Sequence, residues 1–241
     1  MHSIQIDGKP ADLAGLGERI GAHVTASASF LVRMQRVRGL DHHLDRLVGH
    51  SRDPGDRQAQ RAALKHAISA FIRSQERLEA LRVERFRPTE GDQERTLIMG
   101  CTPRAALAPE LRLRSAARDS GTAAEESPAR REAVLLDGDE IHGTTVGALG
   151  FVSRGRVIWP DSAAAPPVEQ LLVHEQLSAG GVACAVVPVR LEDVGLFEAS
   201  FIVGDHGVST LTEIDDVSLT QDVDGVARIR RAFDRIPWLH A

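Results

Sequence analysis

The chain has 241 residues, 42% of them hydrophobic and 26% charged, with a net charge of −5. That length and balance give one large domain or two smaller lobes with real cores, and they exclude a disordered chain. The acidic balance, the absence of Tyr and the lack of a basic block argue against a nucleic-acid surface, which needs a clustered cationic face and commonly stacking aromatics.

In chain order, residues 3–7 alternate as a short strand ending in a Gly turn. The stretch MHSIQIDGKPADL has no basic region followed by an apolar one, so no signal peptide is expected. Residues 12–20 form a short helix, and 26–37 read as strand with a turn inside. Asp41 caps a helix to about Gly49, with Leu40, Leu44, Leu47 and Val48 on one face. The Asp-His-His at 41–43 reads as a cap followed by solvated imidazoles. Asp53-Pro54 is a stop and a restart. A helical period then runs over 56–81, through Ala63, Leu64, Ala67, Ile68, Phe71 and Ile72 to Leu78 and Leu81. Residues 95–101 are a compact apolar strand and 102–109 a connector.

The stretch APELRLRSAARDSG at 108–121 is rich in Arg and has no Lys; Lys9 and Lys65 are the only lysines in the chain. Residues 118–131 read as a loop or a poor helix. Residues 133–137 are a strand and DGDEIHG a turn. Strands at 144–152 and 156–159 are joined by the hairpin signal SRG. Pro166-Pro167 opens a helix to about Leu177. A buried strand at 181–189, a short helix at 191–197 and strands at 199–203 and 207–214 precede a closing amphipathic helix at 222–236. No run approaches the roughly 18 apolar residues of a membrane span, so no membrane partner is expected. Cys101 and Cys184 sit in apolar runs and read as buried free thiols, which with the rest gives a cytoplasmic localisation. The pattern is α+β in two lobes: an N-terminal lobe at 1–105, a connecting strand at 106–115 and a C-terminal lobe at 116–241.

The order of a strand pair, RGLDHHLDRL, a long helix, LLDGDEIHGTTVGALGFVSRGRVIWP, a Pro-initiated helix and LTEIDD resembles the fold-type-IV pyridoxal phosphate enzymes. These are the class IV aminotransferases and aminodeoxychorismate lyase. The resemblance covers almost the whole chain. It implies a two-lobed fold with a cofactor between domains, a small-molecule substrate and a homodimer. It also implies four functional parts: a Schiff-base lysine, an acid on the pyridine nitrogen, phosphate donors at a helix N-terminus, and an arginine on the phosphate.

Arg46, in His43-Leu44-Asp45-Arg46-Leu47, matches the arginine. The lysine position falls on Arg112, and a guanidinium stays protonated and cannot be the amine nucleophile. The acid falls on His142, in EIHGTTVG. The phosphate helix reads Pro166-Pro167-Val168-Glu169, with a lost backbone donor at Pro167 and a carboxylate where phosphate would sit. The second phosphate loop falls on Ile202-Val203, followed by Asp205 and His206. These replacements lead to the expectation that the chain uses no cofactor, pyridoxal phosphate included, and no metal. A two-His, carboxylate metal site from His142, His206, Glu169 and Asp205 has no ligand spacing behind it.

The function expected is acid/base chemistry on a small anionic or amino-acid-like metabolite. His142 is the acid/base, tuned by Glu169 or Asp205, with His206 beside them. Arg46, Arg112, Thr144 and Thr145 bind substrate. A non-catalytic pseudoenzyme that binds a ligand or protein partner is the competing class. A further alternative is a pyridoxal phosphate binder without the Schiff-base lysine.

Overall fold

The computed structural model describes residues 3–11, 23–49, 54–88, 93–117, 132–162 and 164–241. The chain divides into two compact units, one of Met1–Arg104 with Pro237–Ala241 and one of Ala105–Ile236. The helix expected at 12–20 and the loop expected at 118–131 lie outside the described residues.

In the first unit, β1 (Ile4–Ile6), β2 (Lys9–Pro10), β3 (His23–Leu31), β5 (Ala80–Arg87) and β6 (Arg95–Cys101) form one sheet in the order β2-β1-β6-β5-β3. Every pairing in it is antiparallel. The short β4 (Arg36–Val37) pairs instead with Leu239–His240. Helices α1 (Leu40–Val48) and α2 (Pro54–Ser74) bury Leu44, Leu47, Ile68, Phe71 and Ile72 against Phe30, Leu81 and Val83 of the sheet. Alternation along β3 and β5 sends these apolar side chains to one face.

Two expectations are corrected here. The helical period read over 56–81 stops at Ser74, and Leu81 belongs to β5. The strand escapes notice because it is charged, reading ALRVERFR. Its charges are paired: Arg82 Nε lies 2.7 Å from Glu84 Oε1, and Arg85 holds Glu94 and reaches Gln60 Oε1 at 3.1 Å. The second concerns His43, which is buried rather than solvated. It lies on the inner face of α1, with its ring on Phe30.

The second unit is a nine-stranded sheet. It comprises β7 (Glu110–Ala117), β8 (Ala133–Asp137), β9 (Glu140–Thr144), β10 (Ala148–Ser153), β11 (Arg156–Pro160), β12 (Cys184–Val187), β13 (Ala199–Gly204), β14 (Gly207–Ile214) and β15 (Val217–Ser218). The order is β12-β11-β10-β13-β14-β7-β8-β9, with β15 on β14. The sheet curls until its ends meet. Ile141 N–H of β9 donates to Val189 O, just past β12, and Leu191 N–H donates to Asp139 O. Helices α3 (Val168–Ala179) and α4 (Val223–Asp234) cover one face through Trp159, Phe201, Val173, Leu177, Ile229 and Phe233. Trp159 meets Phe201 edge-on at 5.4 Å, a favourable quadrupole geometry. The other face buries Leu111, Val134, Ile141, Phe151, Ile202 and Leu211.

The strand expected to be buried at 181–189 is β12 at the sheet edge, with Val186 and Val187 exposed. The single strand read at 144–152 is broken, because residues 145–147 turn between β9 and β10. Part of the DGDEIHG turn is strand β9. Both cysteines are half-buried, not buried.

Candidate ligand cavity of the C-terminal unit

The site grows from the β8–β9 hairpin. Asp137-Gly138-Asp139-Glu140 turns with Gly138 at φ 62°, a left-handed value that glycine adopts freely. Alternation on β9 buries Ile141 in the core and sends His142 to the opposite face. A bulge in β8 between Leu135 and Leu136 faces this point, and bulges re-aim side chains. The His142 side chain is 14% exposed, and its Nε2 lies 4.0 Å from Asp137 Oδ2, beyond hydrogen-bond reach. Its Nδ1 is shielded from water and has no hydrogen-bond partner. A buried polar atom left in this state costs about 1–3 kcal/mol until a partner arrives.

After His142 the chain turns through Gly143-Thr144-Thr145-Val146-Gly147. Thr144 Oγ1 donates to Gly147 O at 2.7 Å and accepts the N–H groups of Gly147 and Val146. Thr145 Oγ1 accepts Ala133 N–H at 2.9 Å. Both hydroxyls thus hold the turn. Gly147 is needed for closeness: a Cβ there would lie 2.4 Å from Val203 O.

Opposite the turn, β11 ends at Pro160 and the chain reaches α3 through Asp161, Ser162 and a run of Ala and Pro. Pro167 is the N-cap of α3 and has no N–H. The first-turn N–H groups that follow have no partner within the helix, and the helix dipole puts its positive end there. Between these walls lies a cavity of about 490 Å³, a size typical of small-molecule sites. Leu135, His142, Thr144 and Gly147 line one side, and Asp161, Ser162, Pro167 and Gln170 the other.

The structure therefore brings His142 and Thr144 together on one cavity wall, with Thr145 beside them. Glu169 is half-buried in the first turn of α3, but Gln170 and Pro167, not Glu169, are among the described lining residues. Arg112 is 77% exposed on β7, 3.7 Å from Glu213 Oε2. Asp205 and His206 form the β13–β14 turn, His206 exposed. These four are not among the described lining residues. Arg46 lies in the other unit, exposed on α1. Asp161, Ser162 and Gln170 were missed by sequence reasoning. The available signal was a polar pair directly after a buried strand, in the loop leading to a Pro-initiated helix, where α/β folds commonly bind ligands. No cluster of His, Cys, Asp and Glu among the described residues is arranged to hold a metal, and no described helix is long and apolar enough to cross a membrane.

No protein-family model and no curated protein matches the sequence. Solved structures do match. A 4-amino-4-deoxychorismate lyase from Pseudomonas aeruginosa is 18% identical with a TM-score of 0.72, the match covering 97% of this chain and 99% of that one. A branched-chain aminotransferase from the archaeon Thermoproteus uzoniensis, solved with norvaline, is 17% identical with a TM-score of 0.72, covering 97% and 93%. A second branched-chain aminotransferase, complexed with N-(5'-phosphopyridoxyl)-L-glutamate, is 14% identical with a TM-score of 0.69, covering 96% and 92%. It was also solved with pyridoxamine 5'-phosphate.

The chain has the fold of these enzymes, as the resemblance implied. The expectation of no cofactor is corrected by the same finding. Structures on this fold carry phosphopyridoxyl ligands, which points to pyridoxal phosphate chemistry rather than to none. The expectation rested on altered side chains and on the backbone donor lost at Pro167. It also put a carboxylate at the phosphate position, yet Glu169 is not among the described lining residues.

Proposed function

We propose that the C-terminal unit binds a phosphopyridoxyl group without a covalent link and uses it on small, amino-acid-like or anionic metabolites. The observation that carries this reading is the cavity of about 490 Å³ lined by His142, Thr144, Ser162 and the first turn of α3. Relatives in fold that hold phosphopyridoxyl ligands support it.

The residues suit such a group at two points and depart from it at a third. A pyridine nitrogen suits a place beside His142, which lines the cavity. A phosphate suits the positive end of α3, with Ser162 and Gln170 among the lining residues. A covalent amine anchor is missing: both lysines belong to the N-terminal unit, exposed on β2 and α2. Arg112 cannot replace it, because guanidinium does not deprotonate in proteins.

When bound, the group supplies an electron sink next to the carbon that loses or gains a proton. The chain's own residues supply the rest. His142, on the cavity wall, orients the ring. Thr144 and Thr145 keep the wall rigid by closing the turn at Gly147 and Ala133. Leu135, Ala148 and Leu149 give the cavity an apolar wall.

The test is calorimetric titration of the full chain with pyridoxal 5'-phosphate and pyridoxamine 5'-phosphate, followed by borohydride treatment and peptide mass spectrometry. The expected result is saturable 1:1 binding with no reduced adduct on residues 105–236. Absence of binding at millimolar ligand overturns the reading.

A further inference from the structure

The chain enters the N-terminal unit a second time at Pro237. There Leu239–His240 lies antiparallel to β4, with Leu239 opposite Val37 and His240 opposite Arg36. Three further contacts seat the segment. Arg36 Nε–H donates to His240 Nε2 at 3.2 Å. The Arg38 guanidinium lies 4.7 Å from the centre of the Trp238 ring, a cation–π distance. Ala241 packs against the core of the unit. The seat itself is firm: Met34 and Gln35 turn the chain in left-handed backbone, and Arg33 and Arg36 exchange both backbone hydrogen bonds across that turn. The segment on it is held more lightly. Its ladder is two residues long, and Leu239 and His240 are exposed. Such an element opens locally at a small fraction of the free energy of unfolding.

We propose that Pro237–Ala241 is a strap on the N-terminal unit and that His240 is its proton-sensitive latch. The latch bond needs an unprotonated Nε2, because a protonated imidazole has two donors and no acceptor. The bond and the proton therefore exclude each other at that nitrogen. β4 is the strand packed against the strap, and the charged groups on it and beside it are Arg36, Arg38 and Arg33, all cations. Among the described residues no Asp or Glu forms an ion pair with His240, whose polar partner is Arg36. Protonation thus shifts the strap from seated to open. β4 leads through Arg38 and Gly39 into α1, so opening leaves the approach to that helix without its partner strand. Imidazole is the side chain that changes charge near neutral pH, which makes the latch responsive to mild acidification. The contact is exposed, and this limits the effect to the worth of one hydrogen bond, roughly a fivefold change in the ratio of open to seated strap.

Amide hydrogen exchange of the full chain at about pH 7.5 and about pH 5.5, on either side of ordinary imidazole titration, tests this. Rates are corrected for the intrinsic pH dependence of exchange. Segments spanning residues 33–40 and 236–241 report the strap, and β5 and β6 report the unit as a whole. His240→Gln keeps an acceptor that does not titrate and shares every other titrating group with the wild type. On acidification the wild type should lose roughly fivefold more protection than His240→Gln in the two strap segments, while β5 and β6 behave alike in both chains. His240→Lys carries a fixed charge and no acceptor, and its strap segments should be poorly protected already at the higher pH. Equal losses in the wild type and His240→Gln, or full protection in His240→Lys, overturn the latch. So does an excess loss in the wild type that β5 and β6 share, since it would belong to the unit rather than to the strap.

Discussion

The imidazole of His43 packs on the phenyl ring of Phe30 with centroids 4.6 Å apart and planes at 34°. Burial, then the nearby charges of Arg46 and His42, push its pKa down to about 3. The folded chain therefore holds His43 neutral where an unfolded chain, with an ordinary value of 6.5, protonates it. Between these values the unfolded state binds more protons, so stability rises with pH. The contribution is fully present above the unfolded value and is lost as pH falls from about 6.5 toward 3, at a slope approaching ~1.4 kcal/mol per pH unit. Urea midpoints at pH 7, 5.5 and 4.5 should fall less steeply for His43→Leu than for the wild type. Parallel falls would show that His43 is not the group being titrated.

Ser115 N–H donates to Asp215 Oδ1 at 2.8 Å, which ties β7 to the β14–β15 turn. Hydrogen bonds from the Ser115 side chain and backbone lower the Asp215 pKa. The lowering gives stability above the usual carboxylate range that is lost as pH falls through the folded value. Asp215 also sits at φ 53°, where Asn and Gly are tolerated and Ala is strained. Asp215→Ala should cost about 1–2 kcal/mol, Asp215→Gly less, and Asp215→Asn least. Denaturant titration of the three variants checks the ranking, and Ala at or above Gly would contradict it.

A side chain at Gly147 would meet backbone, not a movable neighbour. The added carbon would lie 2.4 Å from Val203 O and 2.9 Å from Ile202 Cγ2. To make room, β10 must part from β13, where Ala148 pairs with Val203. Gly147→Ala should lower stability by about 1–3 kcal/mol, the range of overpacked cores. The shift should reach the cavity wall through Thr144, whose hydroxyl bonds both the N–H and the C=O of Gly147. Thermal unfolding with and without pyridoxamine 5'-phosphate should show a lower midpoint and a smaller ligand-induced rise. An unchanged midpoint would mean that the two strands are not so closely fixed.

The order of elements in the C-terminal unit was legible because its strands are apolar and its turns carry Gly, Asp and Pro at the expected places. Strand β5 was not, since Arg82, Glu84 and Arg85 interrupt its apolar residues: Arg82 pairs with Glu84 within the strand, while Arg85 finds Glu94 and Gln60 outside it. His43 was misread because a histidine on a helix looks solvated until the Phe30 ring beside it is known. At the site, His142 was legible from its motif. Which other residues share its wall was not, because that depends on how the sheet curls and on where the loop after β11 returns. Glu169 and Gln170 are neighbours in sequence, and the helix turn sets only Gln170 among the described lining residues. The cofactor expectation rested on side chains matched by sequence order, and Glu169, matched to the phosphate position, is not among the described lining residues.

His142 separates stability from binding. In the chain without ligand its Nδ1 is shielded and unpaired, so removing the imidazole relieves a desolvated polar atom and leaves stability unchanged or slightly raised. A cavity wall tolerates the loss better than a packed core because space already lies beside it. With ligand the proposed role reverses the sign, since the variant would lack the side chain that orients the ring. His142→Ala should keep its unfolding midpoint within about 0.5 kcal/mol of the wild type and weaken pyridoxamine 5'-phosphate roughly tenfold, the worth of one buried hydrogen bond. His142→Gln, whose amide can still reach a ring nitrogen, should recover part of that loss. A large drop in stability without change in affinity would assign His142 to packing and remove it from the site.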